Sequence, residues 1–191
     1  MTTDSKPIGI LCYNAGNVGS VQRALCRLGI PSKLVETKED LSSVKGLIFP
    51  GAGAAQSAMK DLRKRDLIEV LKNYQKPFLG LCLGMQLLFD FSEEGNTECL
   101  GLIQGEVKEL PDTVIKPHMG WNKLNTGAYA YFVHSFACEP ADKRVITMTT
   151  RYGGEICAGI RFKNFFGVQW HPEKSAGAGH ALLLSFAELC K

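Results

Sequence analysis

Residues 80–84 read Gly-Leu-Cys-Leu-Gly, and they lie where an apolar, strand-like stretch gives way to a helix-like pattern. A strand that turns directly into a helix holds the residue between them in a strained backbone conformation, and flanking glycines remove side chains that would clash there. The helix N-terminus offers N–H groups and a positive dipole, which favour a thiolate and stabilise an oxyanion. The pattern therefore indicates that Cys82 is a nucleophile. The alternative is a buried cysteine beside glycines required for helix packing.

A cysteine nucleophile usually needs a histidine as its base and a third group to orient that histidine. Of the four histidines, His171 follows the apolar stretch 167–170, so it is expected at a strand end, as Cys82 is. Pro172 stiffens the turn, and Glu173 is near enough in sequence for its carboxylate to fold back on the imidazole. The sequence therefore predicts a Cys82–His171–Glu173 triad, although a His-Pro-Glu segment alone would also suit a surface turn.

A second strand-end turn could supply an oxyanion site. Pro50-Gly51-Ala52-Gly53 follows the apolar stretch 47–49. Backbone flanked by glycines at a strand end can turn an N–H group toward a bound carbonyl oxygen. An ordinary tight turn has the same composition, so this segment indicates chemistry only in combination with Cys82.

The composition excludes several function classes. The chain has 191 residues, 45% of them hydrophobic, which suits one folded domain spanning 1–191 rather than a disordered chain. Its 22 basic and 19 acidic residues leave a net charge of +3, with no basic run interleaved with aromatics, so neither nucleic acid nor an anionic membrane is an expected partner. The seven cysteines include no C-x-x-C pair, so we expect no disulfide framework, no metal site and no cofactor.

The N-terminus and the apolar runs bear on location. Residues 1–7 are polar, so they are not expected to form a signal peptide. No apolar run approaches the ~20 residues that span a bilayer. These features predict a cytoplasmic protein.

Apolar runs alternate with helical patterns in the first half of the chain, which is typical of a parallel sheet with helices on both faces. Helical spacing directly follows the run 77–81 and continues through Phe89. The second half has strand-like segments with few helices between them, which we interpret as an antiparallel extension. These segments are 105–110, 129–134, 145–150, 156–160 and 165–170, and a helix near 180–190 follows them. The sequence thus predicts an α/β fold with its active site at the carboxyl ends of the parallel strands.

Three stretches together resemble class I (triad) glutamine amidotransferases. They are GLCLGMQLLF at 80–89, PGAG at 50–53 and QWHPEKS at 169–175. Three more narrow the resemblance to the glutaminase-subunit family of imidazole glycerol phosphate synthase, from histidine biosynthesis. They are PHMGWN at 117–122, YFVHSF at 131–136 and YNAGNVGSV at 13–21. The resemblance implies a flavodoxin-like class I amidotransferase fold.

The resemblance also implies a role for each triad residue. Cys82 would attack the side-chain amide of glutamine and form a glutamyl thioester. His171 would protonate the leaving ammonia and then activate water, and Glu173 would orient His171.

Further residues are implied to bind the substrate. The N–H of Leu83, with the strand from Gly51 to Gly53, would form the oxyanion hole. The remaining residues would hold the amino-acid end of glutamine, and they are Gln86, His134, Ser135 and Phe136.

The family's glutaminase face docks on a (βα)8-barrel cyclase, and ammonia passes through that interface. The resemblance therefore implies a heterodimer with such a cyclase. The positions expected near the interface are Asn14, Asn17, Trp121 and Lys174.

Other functions remain open from the sequence. The segment between Asn122 and Tyr131 is shorter than is usual in the family, which keeps a different synthase partner, for example one that aminates a sugar, as an alternative. A non-catalytic interaction subunit would not need the triad. A cysteine peptidase on a related scaffold would not explain the segment 117–122.

Overall fold

The structure of the protein is a computed structural model that describes residues 6–14 and 16–191. Most of the polar N-terminal stretch on which the signal-peptide expectation rests therefore lies outside the described residues. The strands are β1 (Ile8–Leu11), β2 (Ser32–Val35), β3 (Gly46–Phe49), β4 (Phe78–Leu81), β5 (Phe89–Ser92), β6 (Thr97–Glu98), β7 (Ile103–Glu109), β8 (His118–Lys123), β9 (Tyr129–His134), β10 (Phe136–Pro140), β11 (Ile146–Arg151), β12 (Glu155–Phe162) and β13 (Phe165–Val168). The helices are α1 (Val18–Arg27), α2 (Lys38–Ser42), α3 (Ala55–Lys64), α4 (Ile68–Lys72), α5 (Leu83–Gln86) and α6 (Ala176–Leu189), with 3₁₀ turns at Lys143–Val145 and Pro172–Lys174.

Seven strands form the central sheet in the order β11-β12-β13-β4-β3-β1-β2. The five from β13 to β2 are parallel, and β12 and β11 continue the sheet as antiparallel strands. Alternate residues of a strand point to opposite faces. Accordingly, Ile48 belongs to one apolar cluster, whereas Leu47 and Phe49 belong to the other. The arrangement confirms the predicted mostly parallel sheet with cores on both faces and an antiparallel extension.

Only part of the second half of the chain extends this sheet. β10, β7, β5 and β6 form a separate four-stranded sheet, and β8 and β9 form a two-stranded hairpin. The interpretation that segments 105–110 and 129–134 belong to the antiparallel extension is therefore wrong, although strands occupy both. The sequence predicted that both segments form strands, but it did not predict the strands with which they pair.

The helix after β4 is much shorter than the apolar spacing predicts. α5 ends at Gln86, and Phe89 already begins β5. Phe89 and Phe91 alternate with a polar residue, which is a strand pattern, and β5 pairs with both β6 and β7. This pairing outweighs the local helical spacing, so residues 89–92 form a strand.

Two glycines let α5 pack tightly against the central sheet. A Cβ atom at Gly80 would lie 2.6 Å from the carbonyl oxygen of Gly84. A Cβ atom at Gly84 would collide with the carbonyl oxygen of Phe49, at the end of β3. The Gly-x-Cys-x-Gly spacing therefore serves close backbone packing as well as the turn itself.

No helix among the described residues is long and apolar enough to cross a membrane.

We expect Gly84→Ala to lower the free energy of unfolding by about 2–4 kcal/mol, because backbone atoms of β3 must shift to admit the new methyl group. Gly177→Ala is the matched control. It lies in α6 with open space around a Cβ atom, so it should be neutral or stabilising by up to about 1 kcal/mol. Urea unfolding measures both variants. A loss below about 1 kcal/mol for Gly84→Ala would contradict the packing argument.

Candidate active site

Cys82 lies at the junction between β4 and α5, in a strained backbone conformation. Its φ is 50° and its ψ is −109°, a backbone conformation that residues other than glycine rarely adopt. The backbone N–H of Cys82 donates to the carbonyl of Val168 at 2.8 Å, which ties the turn to the end of β13. The thiol is nearly buried and lies 3.9 Å from the carbonyl oxygen of Val133. The predicted strained turn from strand to helix is therefore present at Cys82, although α5 contributes only one short helical turn.

His171 follows β13, the strand beside β4, and is oriented by two sets of bonds. Its Nδ1 lies 2.9 Å from Oε1 of Glu173, whose side chain is 2% exposed. Its backbone N–H donates to the carbonyl of Tyr131 at 2.9 Å, and its own carbonyl accepts from Oγ of Ser175 at 2.6 Å. The ring and the backbone are thus both fixed, with Nε2 left for the thiol.

The electrostatics favour a protonated His171. Burial alone would lower the pKa of His171, but the interactions of its ring with the neighbouring Cys82 thiol and with the Glu173 carboxylate outweigh it and raise the pKa to about 10. Nε2 of His171 has no hydrogen-bond partner among the described residues. Apo active sites often hold such pairs slightly apart until the substrate binds. The arrangement suits a histidine that holds a proton and passes it across the pocket.

The thiol opens into a cavity of about 250 Å³. Its lining comes from the ends of β4, β9 and β13 and from the loops after β3 and β5. The lining residues are Ala52, Gly53, Cys82, Leu83, Gln86, Glu94, Val133, His134, Ser135, Phe136 and His171. The cavity thus lies at the carboxyl edge of the parallel strands, as expected, and is large enough for an amino acid.

The segment 50–53 lies on one wall of this cavity. A Cβ atom at Gly51 would lie 2.5 Å from the Cβ of Leu83, so this turn packs directly on the start of α5. Gly53 has a φ of 123°, a conformation that favours glycine, and it lines the cavity. The N–H of Leu83 is the first of α5, where no intrahelical acceptor exists. Gly53 and Leu83 therefore line the cavity, and Gly51 packs against Leu83.

Gln86 and the segment 134–136 form the opposite wall. Nε2 of Gln86 donates to the carbonyl of Phe136 at 2.9 Å and to Oε1 of Gln169 at 3.1 Å. Both ring nitrogens of His134 are engaged within the protein, one of them by the carbonyl of Phe136 at 2.8 Å. In this structure the His134 ring supports the wall, and Ser135 and Phe136 face the cavity beside it.

Sequence reasoning missed two polar residues of the site, namely Glu94, which lines the cavity, and Gln169, which contacts Cys82. Glu94 follows β5 and accepts a hydrogen bond from the N–H of Ala55 at 2.8 Å through one carboxylate oxygen, while the other makes no hydrogen bond to the described residues. Gln169 is fully buried and donates to Sγ of Cys82 at 3.5 Å. The strand pattern of β5 could have indicated Glu94 at its carboxyl end. Gln169 stands out as an amide inside an otherwise apolar strand end.

The family model described as "Glutamine amidotransferase class-I" matches residues 11–188. The chain belongs to the class I glutamine amidotransferases. It is 41% identical over 202 residues to "Imidazole glycerol phosphate synthase subunit HisH" of Moorella thermoacetica, covering 97% of this chain and 96% of the relative. It is also 41% identical over 197 residues to the subunit of the same name from Pasteurella multocida, covering 96% and 98%. Within the class I amidotransferases the chain therefore falls in the HisH family.

Solved structures agree on the fold. A structure described as "Crystal structure of glutamine amidotransferase" has a TM-score of 0.78 and 22% sequence identity, and covers 96% of this amidotransferase and 98% of its own chain. "Structure of PurLQS from Thermotoga maritima" has a TM-score of 0.73 and 19% identity, covering 97% and 100%. The predicted class I amidotransferase fold is thereby confirmed.

Trp121 and Lys174, two of the positions expected near a partner, both lie beside Tyr131. Trp121 lies edge-on to Tyr131 at 6.1 Å between ring centroids, and Nζ of Lys174 lies 5.4 Å from the centre of the Tyr131 ring. Met119 and Trp121 are 62% and 54% exposed. We call Met119, Trp121, Tyr131 and Lys174 the docking face.

Asn14 and Asn17 lie on the loop before α1, close to the docking face. Asn14 is held through its backbone N–H by Asp61 at 3.2 Å. Asn17 precedes the first residue of α1, and this helix packs against the 3₁₀ turn that carries Lys174. The same loop contacts the oxyanion segment, because the hydroxyl of Tyr13 donates to the carbonyl of Pro50 at 2.7 Å.

The raised pKa of His171 makes the stability of the amidotransferase depend on pH. Because this pKa lies near 10 in the folded state and about 6.5 in the unfolded state, the stabilisation is complete below about pH 6.5 and is lost as the pH rises toward 10. We expect the difference in free energy of unfolding between the native chain and His171→Gln to be larger at about pH 6 than at about pH 9.5. Urea unfolding at both values measures it.

The control for this comparison is His180→Gln, since His180 is exposed on α6. Its difference from the native chain should stay nearly constant over the same range. A difference for His171→Gln that grows with pH would contradict the assignment of a protonated imidazole.

Proposed function

We propose that the protein is the glutaminase subunit of an imidazole glycerol phosphate synthase, acting in the cytoplasm as one domain over residues 1–191. The observation that carries the proposal is the buried Cys82–His171–Glu173 arrangement opening into an amino-acid-sized cavity. The reaction is hydrolysis of glutamine to glutamate and ammonia.

Glutamine recognition follows from the cavity walls. The carboxylate of Glu94 lies on the lining and suits the α-ammonium group of the substrate. Gln86 and the backbone of Ser135 and Phe136 offer polar groups for the rest of the amino-acid end. The side-chain amide then reaches Cys82 at the carboxyl edge of the sheet.

The chemistry proceeds in two steps. Sγ of Cys82 attacks the amide carbon after its proton has passed to Nε2 of His171, and the oxyanion is stabilised by N–H groups of Leu83 and the 51–53 segment. The C–N bond breaks as Nε2 of His171 gives its proton to the departing nitrogen, which leaves as ammonia, and a glutamyl thioester remains. His171 then takes a proton from water, which attacks the thioester, and glutamate leaves with the free thiol restored. Glu173 holds the imidazole and stabilises its charge throughout.

The partner is a (βα)8-barrel cyclase subunit that receives the ammonia. The relatives carry the name of a synthase subunit, which supports an assembly of more than one chain. The docking face supports the same reading, because it leaves large apolar side chains exposed beside the site. Seated there, a barrel would cover the cavity mouth and keep ammonia from bulk water.

Cys82→Ala should lower ammonia release from glutamine, measured with the cyclase present, by at least about 1,000-fold, because it removes the atom that forms the thioester. Cys26→Ala is the matched control, since that thiol is exposed on α1, and it should retain native activity. Ammonia release by Cys82→Ala at the native rate would contradict the triad. Native activity with another synthase and silence with the cyclase would leave the triad standing and assign a different partner.

Trp121→Ala should weaken cyclase binding by about 30-fold or more, since buried tryptophans commonly anchor interfaces. Leu189→Ala is the control. Leu189 is equally exposed, at 53%, but it ends α6, where the neighbouring Cys190 touches Gly46 at the amino edge of the sheet. Titration of labelled protein with cyclase measures both affinities. Equal losses for the two variants would rule out the docking face as the interface.

A further inference from the structure

A chain of buried polar side chains runs between the docking hairpin β8–β9 and the glutamine cavity. Nδ2 of Asn122 lies 3.1 Å from Nε2 of His118. Nδ1 of His118 lies 3.0 Å from Nε2 of His134, and Nδ1 of His134 lies 2.8 Å from the carbonyl oxygen of Phe136. His118 and His134 are paired across the hairpin, so the strand register itself brings the two rings together.

The bonding partners leave one protonation pattern for this chain. The carbonyl of Phe136 only accepts, so Nδ1 of His134 must carry the proton and its Nε2 must accept. His118 therefore donates from Nδ1 and accepts at Nε2 from the amide of Asn122. Both imidazoles are neutral, which agrees with burial lowering the pKa of each to about 4.

The inner end of the chain reaches the nucleophile. The carbonyl of Phe136 accepts from Gln86 as well as from His134. Gln86 also donates to Gln169, which in turn donates to Sγ of Cys82. Asn122 and Cys82 are thus the two ends of one continuous series of hydrogen bonds.

The outer end is anchored beside the docking face. Asn122 adjoins Trp121 on β8, and its amide also donates to the carbonyl of Arg151 at 3.0 Å. The ring of His118 is stacked between Phe132 and Tyr152, with centroids 4.7 Å and 4.0 Å away. This packing holds the His118 ring in the orientation that its two hydrogen bonds require.

We propose that His118 and Asn122 are positioning residues for glutamine binding, which act through His134 to hold the carbonyl of Phe136 and the cavity wall around it. Neither residue lines the cavity, and neither belongs to the triad. This inference rests on the proposed glutaminase function.

The physical consequence is a change in substrate affinity. Without the donor from His118, the Nε2 atom of His134 is left buried and unpaired, which disfavours the present ring orientation. The Phe136 carbonyl then loses one of its two donors, and the wall that receives the amino-acid end of glutamine loosens. The triad keeps its own bonds, so the chemical step is affected less.

The test compares steady-state kinetics of His118→Phe and His118→Asn in the complex with cyclase. Phenylalanine preserves the stacking but cannot donate, so KM for glutamine should rise about 10-fold with kcat within about 3-fold. Asparagine places an N–H near the position of Nδ1, so it should recover most of the loss. His180→Phe, on the exposed surface of α6, is the control and should leave both constants unchanged.

A second measurement does not depend on any variant folding. Long-range ¹H–¹⁵N spectra of the native chain with labelled histidine should show His118 and His134 both protonated at Nδ1 at neutral pH.

Different outcomes would overturn the positioning role and the proposed glutaminase function. An unchanged KM in His118→Phe, a loss confined to kcat, or Nε2-protonated rings in the native chain would each overturn the positioning role. Absence of glutaminase activity in the native complex would instead overturn the proposed function.

Discussion

The site depends on one strained residue held by close backbone packing. Cys82 has a positive φ, and it keeps this conformation because α5 begins immediately after it and lies flat against the end of β3. Gly84 makes that approach feasible, since any side chain there would meet the Phe49 carbonyl. The strain is small against the burial of the surrounding strands, and it aims the thiol at a cavity instead of into the core. The segment 50–53, His171 and the cavity wall at 134–136 all lie around the cavity into which this turn points the thiol.

The pKa values of two buried imidazoles, those of His171 and His134, differ because their surroundings differ. His171 faces a thiol and a carboxylate, and those groups raise its pKa to about 10 despite burial. The partners of His134 among the described residues are the ring of His118 and the carbonyl of Phe136, and neither is acidic. Burial therefore lowers the pKa of His134 to about 4. One imidazole is therefore suited to carrying a proton, and the other to holding a fixed hydrogen-bond direction. Residue type alone does not distinguish these two roles.

The sequence predicted the triad because Cys82 and His171 each follow a strand-like run and Glu173 lies two residues after His171. Parallel strands end at one edge of a sheet, so residues distant in sequence could be placed together. Glu94 was not placed in this way, because the helical spacing through Phe89 was followed in preference to the strand pattern of residues 89–92. The pairing of β8 with β9 likewise depends on the register of the two strands, which composition does not reveal. The contact between His118 and His134 could therefore not be predicted from the sequence. The separate sheet of β5, β6, β7 and β10 was missed for the same reason.

The central claim is that Cys82 forms a covalent bond with the carbon of the glutamine side chain. Rapid acid quenching of the native complex during turnover, followed by peptide mass spectrometry, tests this directly. The account predicts a glutamyl adduct on the peptide that contains Cys82, which appears only with glutamine and disappears when glutamine is exhausted. An adduct on another residue, or turnover with every peptide unmodified in an experiment that captures the thioester of a known amidotransferase, would contradict it.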